Sequence, residues 1–250
     1  MGFPNVVNGS PPAHLENSTA KRVPLGHRMV YADGRRWAYG LVGATTLISG
    51  DIIQGKALVS GDYTDVVTDV APAIGDTSVS LTTTTTTAAN YYDDGWLHVN
   101  LATTLLEGQS YKIKESGSHA IFVAEAGHVV QLDPIDPIRV AGTTATEVGL
   151  VPNEYNGMIL APVTTLTSRV IGVAQAPITN AKYGFVQTWG MSAVNSVTTS
   201  VIVGNYATAI LAAAGRAGVN DGAGIDQDVG IFMSVPTTAG EHASVFLIIE

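Results

Sequence analysis

The sequence predicts an all-β protein with an antiparallel body that resembles a sandwich or a barrel. Short apolar segments alternate with turns rich in Gly, Pro and Asn along most of the chain. Val and Thr are abundant, and their β-branched side chains favour strands. Charged residues make up 13% of the chain, about half of the usual ~25%. Many short strands at regular spacing indicate a sandwich or barrel rather than an α/β fold.

Residues 1–36 differ from the rest in charge. Their five cations are the candidate contacts to an acidic partner: Lys21, Arg22, Arg28, Arg35 and Arg36. Only Glu16 and Asp33 oppose them, so the segment carries +3 and the remainder carries −12 of the total −9. Four prolines and the lack of a sustained period predict an extended basic arm. Two interpretations stay open, namely a partly ordered tail and an arm that orders on an acidic neighbouring subunit.

Residues 37–137 are predicted to form a first β-rich subdomain. Glycines separate short apolar strands up to residue 59, and residues 96–99 and 111–114 have the pattern of a hairpin. The six threonines at 82–87 are interpreted as a strand edge or a loop without chemistry. Two prolines within residues 133–137 predict an extended connection, which we take as the internal boundary.

Residues 138–250 are predicted to form a second β-rich subdomain. Its clearest element is a strand, turn and strand over residues 168–194, in which Tyr183, Phe185 and Trp189 are predicted to lie in the core or at a subunit interface. Residues 206–217 are rich in alanine and have a helical composition, although they could equally form a strand or loop. One helix at most is therefore expected.

Sites for catalysis, cofactors or metal ions are not predicted. Residues 50–57 match a phosphate-binding loop except at Ala57, which lacks the hydroxyl that holds Mg²⁺. Whether Asp221, Asp226 and Asp228 bind a cation stays open, since the spacing of a calcium loop is missing. The six histidines are scattered. We therefore expect a protein that is not an enzyme.

The chain contains no cysteine, which excludes disulfides and thiolate chemistry. No signal peptide is recognisable, and no apolar run approaches the ~18 residues of a membrane helix. An acidic body disfavours nucleic acid, because phosphates require a positive surface. The expected protein is made in a cytosol and binds neither membrane nor nucleic acid.

Residues 168–191, with GVAQ, a short turn and YGFVQTWG, resemble a motif of tailed-bacteriophage virion structural proteins. Residues 8–47 and 74–114 also look like segments of such proteins. The resemblance implies a decoration, or cement, protein that is made in the bacterial host cytoplasm and bridges capsomers on the outer surface of the capsid. It implies the major capsid protein as partner, and a homo-oligomer, with a trimer favoured.

Two other classes remain open. One is a different virion component, such as a head fibre, a tail tube protein or an adaptor. The other is a carbohydrate-binding β module, for which Tyr91, Tyr92 and Trp96 would form a stacking platform. Glycan binding together with a monomeric state would favour the second class.

Overall fold

A computed structural model describes residues 6–102, 106–163, 165–197, 201–209, 213–219, 227–238 and 240–250. The regular secondary structure of the described residues is almost entirely β-strand, with one 3-10 turn at Ala13–Leu15. The predicted all-β, barrel-like fold is thereby confirmed. None of the helical structure in these residues is long and apolar enough to cross a membrane.

The chain divides into two compact units, residues 1–56 with 154–250 (unit 1) and residues 57–153 (unit 2). The expected subdomains, 37–137 and 138–250, differ from this division. The connection with two prolines lies inside unit 2, where Ile138 belongs to the same core as Val66 and Leu150. Unit 1 is discontinuous because β4 (Ile52–Gln54), before unit 2, pairs with β11 (Asn156–Leu160), after it.

The strands in the described part of unit 1 form one sheet of eleven strands, part of which closes into a barrel. In addition to β4 and β11 they are β1 (Val6–Asn8), β2 (Arg28–Val30), β3 (Arg36–Val42), β12 (Val170–Ala174), β13 (Tyr183–Asn195), β14 (Tyr206–Ala209), β15 (Ala217–Val219), β16 (Gln227–Phe232) and β17 (His242–Ile248).

A five-stranded barrel forms because β3 pairs with both β11 and β13, in the order β3-β11-β4-β12-β13. Its interior contains Ala38, Ile53 and Val186. Gly172 on β12 permits close packing, since a Cβ there would lie 2.7 Å from Val186 Cγ2. Strands β17, β16, β14 and β15 continue the sheet beyond β13.

The described residues 6–36 are not an extended arm, contrary to the expectation from composition. Strand β1 pairs in parallel with β2, and β2 pairs antiparallel with the start of β3. Met29, Tyr31 and Trp37 form a buried cluster. Burial of these apolar side chains between the basic segment and β3 holds residues 6–36 on the sheet.

Of the alternatives left open for residues 206–217, the described residues show strands, β14 and β15, and not a helix. Tyr206–Ala209 pairs with β16 on one side and with Ala217–Val219 on the other. Ala207, Thr208 and Ala209 are buried, and these small side chains fit a central strand whose two edges are both paired.

Unit 2 contains a six-stranded curled sheet in the order β8-β7-β10-β5-β6-β9. The strands are β5 (Val66–Thr68), β6 (Ser78–Thr82), β7 (Trp96–Leu101), β8 (Ser110–Lys112), β9 (His128–Gln131) and β10 (Glu147–Val151). Pairing of Trp96 with Lys112 and of Leu97 with Tyr111 confirms the predicted hairpin. A bridge between Ile113 and Leu132 joins the chain segments that follow β8 and β9.

Candidate interaction surfaces

Two of the predicted contact cations, Arg22 and Arg28, form ion pairs within the chain. Arg22 Nε lies 2.9 Å from Glu16 Oε1, and Arg28 Nε lies 3.1 Å from Glu250 Oε1. The two arginine side chains remain 66% and 56% exposed. Their carboxylate partners are only 15% and 11% exposed. The guanidinium groups are therefore accessible to a partner, while their charge is partly balanced by carboxylates that are largely buried.

Arg35 packs against the ring of Tyr31, and Arg36 packs against the ring of Trp189. The Arg35 guanidinium lies 5.3 Å from the ring centre of Tyr31 and binds Asp33, with Nε donating to Oδ2 at 2.8 Å. This hydrogen bond is the main reason that the pKa of Asp33 is lowered. Arg36 is exposed, and its guanidinium lies 5.2 Å from the ring centre of Trp189. Lys21 is half-buried.

The three aromatic residues predicted for the core or an interface are all half-buried and divide into two groups. Tyr183 stacks on Tyr39 at 5.8 Å, and Phe185 lies 5.0 Å from the same ring. Trp189 follows a β-bulge and meets Phe246 edge to face at 5.7 Å. Tyr183 and Phe185 thus cover the fully buried Tyr39, whereas Trp189 faces another part of the surface.

A pocket of about 330 Å³ adjoins Trp189. It is lined by Asp33, Gly34, Arg35, Trp189, Gly190, Met191 and Phe246. Gly190 has φ +91°, and a Cβ there would lie 3.1 Å from Arg35 Cγ. The aromatic and Met side chains form an apolar wall, and the Asp33–Arg35 pair adds a polar rim. This combination suits an amphipathic side chain or ligand.

A broader depression of about 660 Å³ lies beside the 3-10 turn, between residues 10–22 and Lys182. Its lining is mixed, with Leu15 beside the Glu16–Arg22 ion pair and several hydroxyl and amide groups. The basic segment therefore contributes a polar surface as well as its buried cluster.

The six-threonine run takes part in a buried hydrogen-bond centre that the sequence did not reveal. Asp62 is fully buried, and its carboxylate accepts hydrogen bonds from Thr85 Oγ1, from Thr87 Oγ1 at 2.7 Å and from Tyr92 Oη at 2.6 Å. Burial, followed by the Asp62 hydrogen bond, raises the pKa of Tyr92. Both carboxylate oxygens are occupied, so this centre stabilises the fold of unit 2. The role of Asp62 as a buried acceptor is recognisable only from its neighbours in space, because no sequence pattern marks it.

The segment that partly matches a phosphate-binding loop is built into the barrel. Its central residues form β4, between β11 and β12. The backbone N–H groups of Ile52, Gly55 and Lys56 donate to Gly215, Arg169 and Glu154 respectively. These donors are therefore unavailable to a phosphate group. A sheet strand is the observed structure.

The aspartates considered for cation binding are only partly described. Asp221 and Asp226 lie outside the described residues, and Asp228 is exposed on β16. Across the described ranges, no group of three or more His, Asp or Glu side chains is placed to hold a metal ion.

Tyr91, Tyr92 and Trp96 do not form one exposed platform. Tyr92 is fully buried, and Tyr91 is half-buried with its hydroxyl donating to the carbonyl of Ala57 at 2.7 Å. Trp96 is 47% exposed, with Lys112 Nζ 4.7 Å from its ring centre. The specific support for a carbohydrate-binding module at these residues is thereby lost.

Acidification is expected to destabilise unit 1 through His14. The imidazole stacks on Trp37 and its Nδ1 lies 2.9 Å from Tyr31 Oη. Burial, followed by the charge of Arg35, lowers the pKa of His14 below the usual 6.5. The unfolded chain then binds a proton more readily than the folded chain, so stability falls as the pH drops through the unfolded pKa.

The measurement is the melting temperature between about pH 7.5 and pH 5.5, for the wild type and His14→Gln. On acidification, the melting temperature of the variant should fall by less than that of the wild type. An unchanged pH dependence in the variant would exclude His14 as its source.

Comparison with family models, curated proteins and solved structures finds no match for this chain.

Proposed function

We propose that this chain is a non-catalytic decoration protein of a tailed-bacteriophage capsid. It would be made in the bacterial host cytoplasm and would bind the outer surface of the icosahedral head. The observation that carries the proposal is the resemblance of residues 168–191 to virion structural proteins. Its two most regular parts form β12 and β13 in the barrel wall. Its partners would be the major capsid protein and further copies of itself.

The exposed arginines support an acidic protein partner. Arg22, Arg28 and Arg36 present accessible guanidinium groups on the basic segment and at the start of β3. Each exposed ion pair stabilises a complex by only about 0–1 kcal/mol. In an oligomeric decoration protein, binding of one copy holds the other copies close to neighbouring capsomers. The effective concentration of their contact sites is raised, and the whole oligomer binds more tightly than one copy. The contact would therefore depend on several weak pairs acting together.

The test uses the whole chain, because Met29, Tyr31 and Trp37 make residues 6–36 part of the fold. Purified protein is mixed with undecorated heads of the phage that encodes it, and bound copies are measured by co-sedimentation and imaging. The wild type should cover the shell in many copies. An Arg22→Gln, Arg28→Gln, Arg36→Gln variant should bind at least about tenfold more weakly.

Lys114→Gln is the matched control, since this exposed lysine lies in unit 2. It should bind like the wild type. Wild-type protein that fails to bind heads, or that is found only at the tail or in fibres, would refute the decoration role. Equal binding by the triple variant would refute the arginine contact alone.

A further inference from the structure

Four neighbouring strands of unit 1 carry a continuous row of apolar side chains. Met191 on β13 is paired with Phe246 on β17, Phe246 with Ile231 on β16, and Ile231 with Tyr206 on β14. Residues directly opposite each other in a sheet project from the same face. Met191 and Tyr206, at the two ends, are 46% and 54% exposed.

The burial pattern shows that this row faces outward. On β17, Val245 and Leu247 are buried in the core, whereas Phe246 between them is half-buried. On β13, Ser192 and Val194 are buried while Met191 is exposed. An outward position normally holds polar side chains. Four apolar residues in register at such positions make this face a candidate contact surface.

Apolar side chains also occur in the rows on either side, which are mixed because they include Ser244 on one side and Asp228 and Thr208 on the other. Trp189 is paired with Ile248, and Met233 lies opposite Ser244. Four strands at ~4.8 Å and three rows at ~6.8 Å cover about 19 Å by 20 Å. That area includes the polar positions and is roughly half of the ~800 Å² that each partner buries in a specific interface, so the contact that it supports is a weak, dissociable one.

The two ends of the row have complementary shapes, a pocket at the β13 end and a projecting side chain at the β14 end. At the β13 end, Met191 and Phe246 line the 330 Å³ pocket, whose rim carries Asp33 and Arg35. At the β14 end, Tyr206 projects a large side chain with a terminal hydroxyl. A tyrosine needs both an apolar wall for its ring and a polar partner for its hydroxyl, and this pocket offers both.

We propose that this face binds the same face of a second copy of the chain. A two-fold axis parallel to the strands and midway between β16 and β17 reverses the strand order. It places β14 of each copy over β13 of the other, so that Tyr206 of one copy enters the pocket of the other. The contact forms twice, as an isologous interface requires. Each inserted ring adds buried area to the flat face.

The interface predicts a dissociable dimer in solution, which differs from the trimer that the phage resemblance implies. The inference does not rest on the proposed capsid role. It depends on the register of four strands, the exposure of the row and the pocket at one end.

The experiment measures the mass of the full chain by analytical ultracentrifugation over a wide concentration range. The wild type should change from monomer to dimer. Met191→Lys and Tyr206→Glu should each weaken dimerisation roughly thirtyfold or more, because each places an unpaired charge in the contact. Ile135→Lys, at a 90% exposed site in unit 2, is the matched control and should dimerise normally.

An equimolar mixture of Met191→Lys and Tyr206→Glu distinguishes this geometry from other modes of association. In the mixed dimer, the new lysine of one copy faces the new glutamate of the other, and the second contact is native. The mixture should therefore dimerise where each variant alone does not. Melting temperatures close to that of the wild type would show that the variants fold.

Three results would overturn the proposal. They are a wild-type chain that stays monomeric at every concentration, variants that associate as strongly as the wild type, and a mixture that does not recover dimerisation.

Discussion

Replacing Asp62 with alanine is expected to lower the free energy of unfolding of unit 2 by about 3–5 kcal/mol. The substitution leaves the hydroxyls of Thr85, Thr87 and Tyr92 without their common acceptor inside the fold. Each buried hydroxyl that loses its partner costs about 1–3 kcal/mol, and neighbouring losses are not fully additive. Chemical denaturation followed by circular dichroism measures the change.

Two companion variants separate the hydrogen bonds from other effects. Tyr92→Phe removes one donor and should cost about 1–2 kcal/mol. Asp69→Ala removes an exposed carboxylate in the same unit and should change stability by less than about 0.5 kcal/mol. In the Asp62→Ala background, Tyr92→Phe should cost less than it does alone. If the losses of unfolding free energy in the double variant simply add, Asp62 and Tyr92 do not interact energetically.

Replacing Trp37 with alanine is expected to lower the free energy of unfolding of unit 1 by about 3–5 kcal/mol. The ring is fully buried, stacks on His14 at 4.7 Å and lies 5.4 Å from Tyr31. Its loss leaves a cavity between β3 and residues 6–31. The basic segment should then become much more susceptible to limited proteolysis, while the barrel strands stay protected.

Trp96→Ala is the matched control because it makes the same substitution at a ring that is 47% exposed. It should cost about 1–2 kcal/mol, clearly less than Trp37→Ala, because only about half of the ring is buried. Trp37→Phe should recover most of the stability that alanine loses, since it refills most of the cavity. Similar costs for Trp37→Ala and Trp96→Ala would contradict the buried cluster.

The sequence predicted the positions of individual strands better than it predicted which strands pair with each other. The pattern around the turn at residues 177–180 predicted the two strands β12 and β13, and the pattern around residues 96–114 predicted β7 and β8. Both pairs are close in sequence, so alternation and turn residues contain enough information. The closure of the barrel was not predicted. It depends on β3 pairing with β13, for example Tyr39 with Phe185, across most of the chain.

Composition misled at one segment and left a second undecided. Basic residues and prolines predicted an extended arm, but the few apolar residues Met29, Tyr31 and Trp37 are enough to pack residues 6–36 against the sheet. Alanines left a helix, a strand or a loop open at 206–217, and pairing with β16 favoured strands in the described residues. In both cases tertiary contacts outweighed a weak local preference.

The sequence alone determined the all-β character of this protein and the position of several strands. These properties follow from side-chain branching, alternation and turn residues, which act over a few neighbouring positions. Only the tertiary structure decided that Asp62 is a buried acceptor for the threonine run, and that Met191, Phe246, Ile231 and Tyr206 form one outward row. Both depend on strand pairings between distant segments, and the local pattern of a strand does not specify its partner or which of its faces stays uncovered.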